Sequence, residues 1–381
     1  MTAPRTIPFF PADLFAPDHG TLLDLVYTVG THPEQRFILG ERTARLEREL
    51  AERLGVRHVV ACSSGTSALT LVLAAIGVTA GDEVVVPAFG CAPLAATVIG
   101  LGARPVFADI DPVRLTMAPD AAEALVTGRT KALMPAHVFA TMAEMPRLRA
   151  VADRHGLRLV EDSALAQGGV LAGRPAGRWG DAGVFSFVQV KTFGMPGEGG
   201  VVVTDDDEIA GAVRMLRNHG QDGRHRFVHH RIGYNSRFDE VMAAFQLHRL
   251  PGFEERLARR AEICRYYSTR FADLANRGIV APPADGDGRC PYVYTLLADR
   301  REELRAHLAA HGVATHVYYP RTLPEQPAFA PYAAPGGHWP NAASAARRNI
   351  SLPLYPHLGD AEVEHIADTV RAFACRSRKT P

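Results

Sequence analysis

Lysine is almost absent from this chain. The sequence has 42 lysine and arginine residues together, and only Lys131, Lys191 and Lys379 are lysine, which leaves 39 arginines. Arginine holds its proton too tightly to act as a neutral nucleophile, whereas the surroundings of a lysine amine can tune it to that role. Lys379 belongs to a tail, RSRKTP, that we expect to fray, so Lys131 and Lys191 are the lysines to explain.

Cysteines and metal-binding motifs are also scarce. The five cysteines are scattered, are odd in number and show no CxxC spacing. This pattern argues against a disulfide framework and a zinc site, and it favours a reducing compartment. The 16 histidines include no HExxH motif. We therefore expect a cytoplasmic protein without a metal centre.

Long apolar runs and blocks of like charge are missing as well. No stretch reaches the roughly 18 uninterrupted apolar residues of a membrane helix, and the first residues, MTAPRTIPFFPADLF, lack the apolar core of a signal peptide. The net charge is +1, with no basic block, so nothing suggests nucleic acid or an anionic membrane as a partner. Residues 1–20 are expected to form an irregular N-terminal arm.

Apolar, β-branched runs alternate with helical patterns from residue 41 onward. The pattern at 41–54, followed by Gly55, predicts an amphipathic helix with a glycine stop. The strand-like runs are HVVAC (58–62), EVVVP (83–87), RPVFAD (104–109), KALMPAH (131–137), LRLVED (157–162), AGVFSF (182–187) and GGVVVT (199–204). Such runs are typical of a mainly parallel sheet buried on both faces. We predict an α/β fold whose large domain, residues 21–250, holds a seven-stranded sheet between helices.

The pattern changes after residue 238. One long helical stretch runs over 238–275 and is interrupted at Pro251-Gly252. A strand (YVYTLLA), a helix (REELRAHLAAHG), a second strand (VATHVYY), a proline-rich loop and a final helix (AEVEHIADTVRAF) follow. Residues 251–381 are therefore predicted to form a small C-terminal α+β domain.

Polar residues follow several of the predicted strands, at the sheet edge where parallel sheets bind ligands. SSGTS (63–67) offers backbone N–H groups at a helix start, which suits an anion but also an ordinary N-cap. Glu161-Asp162 and Ser186 end two other strands, and Lys191 follows Ser186 closely. A phosphate cradle, a carboxylate and a reactive amine are what pyridoxal phosphate requires. Lys131 begins its strand, away from that edge, and is interpreted as structural.

In their order and spacing these elements resemble the DegT/DnrJ/EryC1/StrS family of sugar aminotransferases, which are fold-type I pyridoxal phosphate enzymes. The resemblance runs from FILG (37–40) to SLPLYP (351–356) and rests on SSGTSAL, GDEVVVPAF, GARPVFADID, RTKALMPAHVFA, VEDSALAQGG, FSFVQVK, GEGGVVVTDD, LRNHG and IGYNSRFDE. It implies transfer of an amino group from glutamate or glutamine to a keto group of a sugar nucleotide or cyclitol. Secondary-metabolite or polysaccharide biosynthesis is the expected setting.

The resemblance also implies roles for individual residues. Lys191 bonds the cofactor's aldehyde and shuttles the proton, and Asp162 pairs with the pyridinium nitrogen. The phosphate is held by Gly65, Thr66 and Ser186, and by Asn235 from the other subunit of a homodimer, so that the site is shared. Further contacts are expected from Cys91 and Leu165 to the cofactor, and from Phe37, His137 and Tyr319 to the substrate.

The chain departs from the family pattern at several positions. Cys91 stands where an aromatic side chain usually stacks on the cofactor ring, and Leu165 replaces a Gln or His near the ring hydroxyl. Two alternatives stay open: the cofactor is held more weakly, or Phe89 or another loop residue covers the ring and the positions serve a different substrate. Pro324 replaces a family histidine, and Arg321 stands where proline is common, near the expected acceptor pocket.

Three other functions compete with a transaminase. A non-transaminating pyridoxal phosphate enzyme is possible, although the retained Lys191 argues against a deoxygenating branch that carries histidine there. A cofactor-binding regulatory protein of the same fold is disfavoured by the lack of a DNA-binding segment or basic patch. A nicotinamide dehydrogenase is disfavoured because no GxGxxG follows the first strand.

Overall fold

A computed structural model describes residues 6–376, apart from Ala12, Gln35, Ala140 and Asp285. Lys379 and the first five residues of the predicted arm lie outside the described residues. Within that part of the chain, no helix has the length and apolar character needed to cross a membrane.

Helices and strands alternate over most of the chain. The α-helices are α1 (His19–Gly30), α2 (Glu41–Leu54), α3 (Gly65–Ala75), α4 (Pro93–Gly100), α5 (Pro119–Glu123), α6 (Met145–His155), α7 (Asp207–Leu216), α8 (Glu240–Arg249), α9 (Phe253–Phe271), α10 (Arg301–Ala310), α11 (Pro340–Arg348) and α12 (Asp360–Arg376). The strands are β1 (His58–Cys62), β2 (Glu83–Pro87), β3 (Arg104–Ala108), β4 (Thr130–Leu133), β5 (Arg158–Asp162), β6 (Val170–Leu171), β7 (Arg174–Pro175), β8 (Ala182–Ser186), β9 (Gly200–Thr204), β10 (Ile279–Val280), β11 (Tyr294–Ala298) and β12 (Asn349–Leu352).

The large sheet has seven strands in the order β1-β9-β8-β5-β4-β2-β3. The pairs β8-β5, β5-β4, β4-β2 and β2-β3 are parallel, whereas β9 runs antiparallel to both of its neighbours. Two clusters of buried side chains lie between the helices and the two faces of the sheet. One cluster contains Val60 and Val84, and the other contains Val59 and Val85. Because neighbouring strand residues point to opposite faces, these pairs account for the continuous apolar runs. The predicted mainly parallel seven-stranded sheet is confirmed.

The strand register brings the ends of β1 and β8 together across β9. Gly200, the first residue of β9, pairs with Cys62 on one side and with Ser186 on the other. Since β1, β8, β5, β4, β2 and β3 all point the same way, their carboxyl ends share one edge of the sheet. That edge carries the predicted site residues.

The C-terminal part has its own core and a small antiparallel sheet, β10-β11-β12. Tyr267, Tyr294 and Ile350 belong to this core, and Ile7 from the N-terminal segment packs into it. The predicted α+β character is confirmed, and the predicted break at Pro251-Gly252 separates α8 from α9. The domain boundaries 1–20, 21–250 and 251–381 stay predictions.

The predicted strand VATHVYY (313–319) is wrong. Val313 and His316 make only isolated bridges, to Ile7 and Ser351. The place beside β11 is taken instead by β12, in which Ile350 pairs with Leu296. The short run NISL, which forms β12, gave no strong signal in the sequence.

Candidate active site

The N-terminus of α3 opens onto the carboxyl edge of the sheet. Ser64 caps the helix: its Oγ accepts a hydrogen bond from Ser67 N at 3.0 Å, and Ser67 Oγ accepts one from Ser64 N at 3.1 Å. The first-turn N–H groups, which belong to Gly65, Thr66 and Ser67, have no partner inside the helix. Together with the helix dipole, these N–H groups favour an anion at this end of the helix. Because the cap uses the N–H of Ser67, the N–H groups of Gly65 and Thr66 are left for the anion.

Three chain segments pack closely together at this helix start, at Gly65, Ser186 and Gly200. A Cβ atom on Gly65 would lie 2.8 Å from Ser186 Cβ, and one on Gly200 would lie 2.7 Å from Gly65 N. Both positions therefore require glycine unless the strands move apart. The consequence is that Ser186, at the end of β8, stands directly beside the helix N-terminus, as the sequence predicts for a shared phosphate cradle.

Asp162 is a buried carboxylate without a strong partner. Its side chain is at the end of β5, the residue is 3% exposed, and Oδ1 accepts one hydrogen bond, from Ala164 N at 3.1 Å. Among residues 6–376, as far as they are described, no ion pair includes it. Burial raises the pKa of Asp162, and Lys191 and His137 only partly oppose this. A cation delivered to this carboxylate would relieve the cost of burying it.

The neighbouring Glu161 is fully occupied. Its carboxylate accepts hydrogen bonds from His137 Nε2 at 2.7 Å, from Ser163 Oγ at 3.0 Å, and from Trp179 N at 2.9 Å. Burial acts to raise its pKa, but these bonds outweigh burial and leave the pKa below the usual range. Glu161 is therefore a structural anion, and Asp162 is the carboxylate that is left for a ligand.

His137 is enclosed rather than open to a substrate. It is buried, its Nε2 donates to Glu161, and its Nδ1 accepts a hydrogen bond from Ala143 N at 3.1 Å. Both ring nitrogens are therefore engaged. Its backbone N–H donates to Asp162 O at 3.0 Å. This geometry supports a role in holding β5 in place, and the predicted contact between His137 and the substrate is without support in it.

Lys191 lies in the loop that follows β8. Its N–H donates to Val188 O at 2.9 Å, and its carbonyl accepts from Gly194 N at 3.0 Å, which makes the tight turn around it. Burial lowers the pKa of Lys191, and the charge of Asp162 acts against this shift. A partly buried amine with a lowered pKa, facing a carboxylate, is the arrangement that a nucleophilic lysine requires.

Cys91 and Leu165 pack against the same hydrophobic cluster, and both are partly exposed. Burial raises the pKa of the Cys91 thiol to about 12, with a further contribution from Asp162, so the thiol is protonated at neutral pH. Phe89 is 0% exposed, and its ring packs at 5.9 Å from Phe139 and 6.0 Å from Tyr319, centroid to centroid. Phe89 therefore has no free face to offer a cofactor ring, which favours the alternative of weaker cofactor holding.

Tyr319 packs against the same hydrophobic cluster. It is partly buried, its carbonyl accepts a hydrogen bond from Asn349 Nδ2 at 3.1 Å, and burial raises the pKa of its hydroxyl. The charge of Asp162 adds to that shift. The segment after it is tied to β2, because Leu323 N donates to Ala88 O at 2.7 Å.

Phe37 and Asn235 are not brought to Lys191 within one chain. Both are exposed, and among the contacts of the described residues none joins either one to Lys191. Asn235 Oδ1 accepts from Arg237 Nε at 2.9 Å, and Phe37 O accepts from Glu240 N at 2.9 Å. The Glu240 side chain also accepts from Gly40 N and Thr43 N, so the loop that carries Phe37 is anchored to the start of α8.

A separate group of ionisable side chains lies on the loop between α7 and α8. The ligand-type atoms of Asp222, His225 and His230 lie within 4.8 Å of one another. Asp222 Oδ1 accepts from the backbone N–H groups of Arg224 and His225, both at 2.8 Å, and Oδ2 lies 2.8 Å from His225 Nδ1. These hydrogen bonds are sufficient to explain the cluster.

Sequence reasoning missed Tyr292. The Lys191 Nζ lies 4.8 Å from the centroid of its ring. The sequence pattern predicts that Tyr292 begins a strand, whereas β11 begins at Tyr294. No sequence signal links a tyrosine in the C-terminal part to a lysine about a hundred residues earlier, since only the tertiary fold brings them together.

The residues at this edge fit pyridoxal phosphate. The N–H groups of Gly65 and Thr66, for which no partner is found among the described residues, suit its phosphate. The buried carboxylate of Asp162 suits a protonated ring nitrogen. The amine of Lys191 stands where an aldehyde could reach it. All of these groups lie at or just after the carboxyl ends of β1, β8 and β5 in the large sheet, in which β9 separates β1 from β8.

The sequence and the fold match known proteins over almost their whole length. The model of the DegT/DnrJ/EryC1/StrS aminotransferase family matches residues 26–371. A pleiotropic regulatory protein from Geobacillus stearothermophilus is 38% identical over 340 residues, which cover 89% of this chain and 91% of that protein. A dTDP-3-amino-3,4,6-trideoxy-alpha-D-glucose transaminase from Streptomyces venezuelae is 38% identical over 341 residues, which cover 90% of this chain and 89% of that protein.

Solved structures agree with these matches. S. venezuelae DesV, in complex with a ketimine intermediate, superimposes with a TM-score of 0.92 at 36% identity and covers 99% of this chain and 100% of that chain. The predicted fold-type I architecture is therefore confirmed. The chain belongs to the DegT/DnrJ/EryC1/StrS aminotransferase family and is a pyridoxal phosphate-dependent aminotransferase.

Proposed function

We propose that this enzyme transfers an amino group from glutamate or glutamine to a keto group of a sugar nucleotide, with a keto-cyclitol as the second acceptor class. The pathway would be the biosynthesis of an amino sugar for a secondary metabolite or a polysaccharide. The Streptomyces venezuelae relative is named as a transaminase of a dTDP-linked amino sugar, which supports the sugar nucleotide as acceptor.

The observation that carries the proposal is that Lys191, Asp162 and the N-terminus of α3 lie at one edge of the large sheet. A lysine whose pKa is lowered by burial, a buried carboxylate without an ion-pair partner among the described residues, and a free helix start are each common alone. Together they provide the three anchor points of one cofactor.

Each anchor has a distinct task in this proposal. Gly65, Thr66 and Ser186 bind the phosphate, and Asp162 orients the ring and keeps its nitrogen protonated. When bound, pyridoxal phosphate supplies an aldehyde that bonds an amine and a ring that accepts electrons. Lys191 would hold the cofactor through its Nζ in the resting enzyme, and its amine would be free to act once the donor is bound.

Lys191 then works as acid and base. Its released Nζ takes the proton from the donor's α-carbon and later delivers a proton at the acceptor carbon. The pKa lowered by burial increases the fraction of neutral amine available for the first task. Asp162 stays ionised opposite the ring nitrogen, so one side chain moves the proton and the other holds the charge.

A homodimer with shared sites completes the proposal. Asn235 is exposed on a loop that also shows Phe227 and Ile232 to solvent, at 72% and 96% exposure. Exposed apolar side chains of this size mark interaction surfaces. We propose that a second copy covers them, that its Asn235 completes the phosphate site, and that its Phe37 contributes to the substrate site.

The function is tested with the loaded enzyme, a panel of amino donors and two sets of acceptors. Keto-sugar nucleotides and keto-cyclitols are incubated with glutamate, glutamine or alanine, and mass spectrometry detects exchange of the keto oxygen for an amine. We expect amination of a keto-sugar nucleotide with glutamate or glutamine, and none with Lys191→Ala. Amination of the cyclitols alone would contradict the proposed acceptor, and transfer from alanine alone would contradict the proposed donor.

The match to a protein named as a pleiotropic regulator supports a second candidate, in which the fold serves regulation. The same experiment separates the two. A regulatory protein would bind the cofactor and show no transfer to any acceptor, whereas the proposed enzyme converts donor and acceptor in equal amounts. A non-transaminating pyridoxal phosphate enzyme would alter one substrate without transferring nitrogen to the other.

A further inference from the structure

Tyr292 lies against the amine of Lys191, although it comes from the C-terminal part of the chain. The distance from Lys191 Nζ to the ring centroid is 4.8 Å, within the roughly 6 Å over which an aromatic face attracts a cation. Tyr292 is 4% exposed. In such a desolvated place the attraction is stronger than it is at the surface.

Hydrogen bonds hold the backbone of Tyr292 in place, and burial confines its ring. Its carbonyl accepts from Arg260 Nη1 at 3.0 Å, and the same nitrogen donates to Leu354 O at 2.8 Å. Its N–H donates to Cys290 O at 2.8 Å. A buried ring on a fixed backbone has little room to turn away from Lys191.

We propose that Tyr292 is a positioning residue for Lys191. Whenever the amine is not bonded to the cofactor, the ring face holds the ammonium form and keeps Nζ directed toward the sheet edge. The inference rests on the proposed role of Lys191 and adds to it a device that keeps the lysine in place while it carries the proton between the two carbons.

The electrostatic surroundings of Lys191 leave room for this contribution. Asp162 on β5, Cys91 after β2 and Glu198 in the loop before β9 act to raise the pKa of Lys191, and burial, which is the largest effect, lowers it. Burial raises the pKa of the Tyr292 hydroxyl, so Tyr292 is neutral throughout the working range. Its ring adds an attraction for the ammonium form that no titration near neutral pH removes.

The test measures the pKa of Lys191 in the protein freed of cofactor. An amine-selective acylating reagent is applied over a range of pH, and peptide mass spectrometry follows the labelling of each lysine. The scarcity of lysine makes the measurement clean, because the chain has three lysines and exposed Lys131 serves as an internal standard. The variants are compared by the midpoint of the labelling curve, because its height also depends on how accessible the amine is to the reagent.

Three variants separate the ring from the hydroxyl. Tyr292→Leu removes the aromatic face, Tyr292→Phe keeps the face and loses the hydroxyl, and Tyr294→Phe is the matched control, because its hydroxyl bonds Ser268 at 2.9 Å instead. We expect Tyr292→Leu to lower the midpoint by about 0.4 to 1.5 pH units and the two phenylalanine variants to leave it unchanged. If Tyr292→Leu does not fold, Tyr292→Met replaces it.

Two results would overturn the inference. A midpoint for folded Tyr292→Leu equal to that of the wild type would show that the ring does not hold the amine. An equal shift in Tyr292→Phe would assign the effect to the hydroxyl. Neither result depends on turnover, so failure of the inference is distinct from failure of the proposed function. In the loaded enzyme we also expect Tyr292→Leu to lower kcat while the KM for the donor is unchanged.

Discussion

We predict that Cys91 and Leu165 leave the cofactor ring less firmly held than the family pattern would. The structure shows why Phe89 does not compensate: its ring is fully buried between Phe139 and Tyr319. A stacked aromatic ring contributes roughly 0.5–1.5 kcal/mol beyond its buried area, and one net hydrogen bond contributes about 1 kcal/mol. At about 1.4 kcal/mol per decade, their absence weakens binding by on the order of ten- to a hundredfold.

The assay is the dissociation of cofactor from Cys91→Phe, Leu165→Gln and the double variant, followed by absorbance during dilution or dialysis. We expect each single variant to retain the cofactor more tightly, by about two- to tenfold, and the double variant to combine both gains. Cys62→Ala, a buried cysteine on β1, is the control for a general effect of removing a thiol. Unchanged or looser binding in both single variants would refute the reasoning and assign these positions to the substrate.

Three further predictions concern the remaining anchors. Lys191→Ala should abolish turnover while leaving the fold intact, whereas exposed Lys131→Arg should be silent; appreciable activity in the first variant would contradict this. Mixed Lys191→Ala and Asn235→Ala subunits should regain activity, because one site of the hybrid dimer carries neither change; no recovery despite proven subunit exchange would count against a shared site. Without cofactor, Asp162→Asn should be more stable than the wild type near neutral pH in thermal unfolding, because burial raises the pKa of Asp162 and its ionisation then costs stability. This gain should vanish toward about pH 4, and an equal gain at both pH values would argue against it.

The elements with a strong local pattern could be predicted from the sequence closely. The helix predicted over 41–54 has those bounds, because its leucines recur at helical spacing and Gly55 adopts the left-handed backbone conformation, φ 66°, that ends it. The runs HVVAC and EVVVP form β1 and β2 with the predicted bounds. In each case local propensity and burial favour the same structure.

Prediction failed where tertiary pairing decided between similar segments. VATHVYY has a strand-like composition, yet His316 stacks on Phe9 at 5.5 Å and lies 4.3 Å from Tyr318, centroid to centroid. These ring contacts hold it against the N-terminal segment. The edge of β11 is filled by β12 instead, and no local signal in the sequence ranks the two candidates.

The candidate site also has parts that could be predicted from the sequence and parts that could not. Ser186, Asp162 and Lys191 could be placed together because the carboxyl ends of parallel strands share one edge. The enclosure of His137 by Glu161 and Ala143, and the contact of Tyr292 with Lys191, depend on side-chain packing between distant segments. Spacing in the sequence carries no information about such contacts.

The measurement that tests the central claim most directly is borohydride reduction of the enzyme loaded with pyridoxal phosphate, followed by peptide mass spectrometry. Reduction makes the bond between cofactor and amine permanent and so marks the lysine that carries it. The account predicts one modified residue, Lys191, and loss of the modification in Lys191→Ala. Modification of Lys131 instead, or cofactor bound without any lysine being modified, would contradict it.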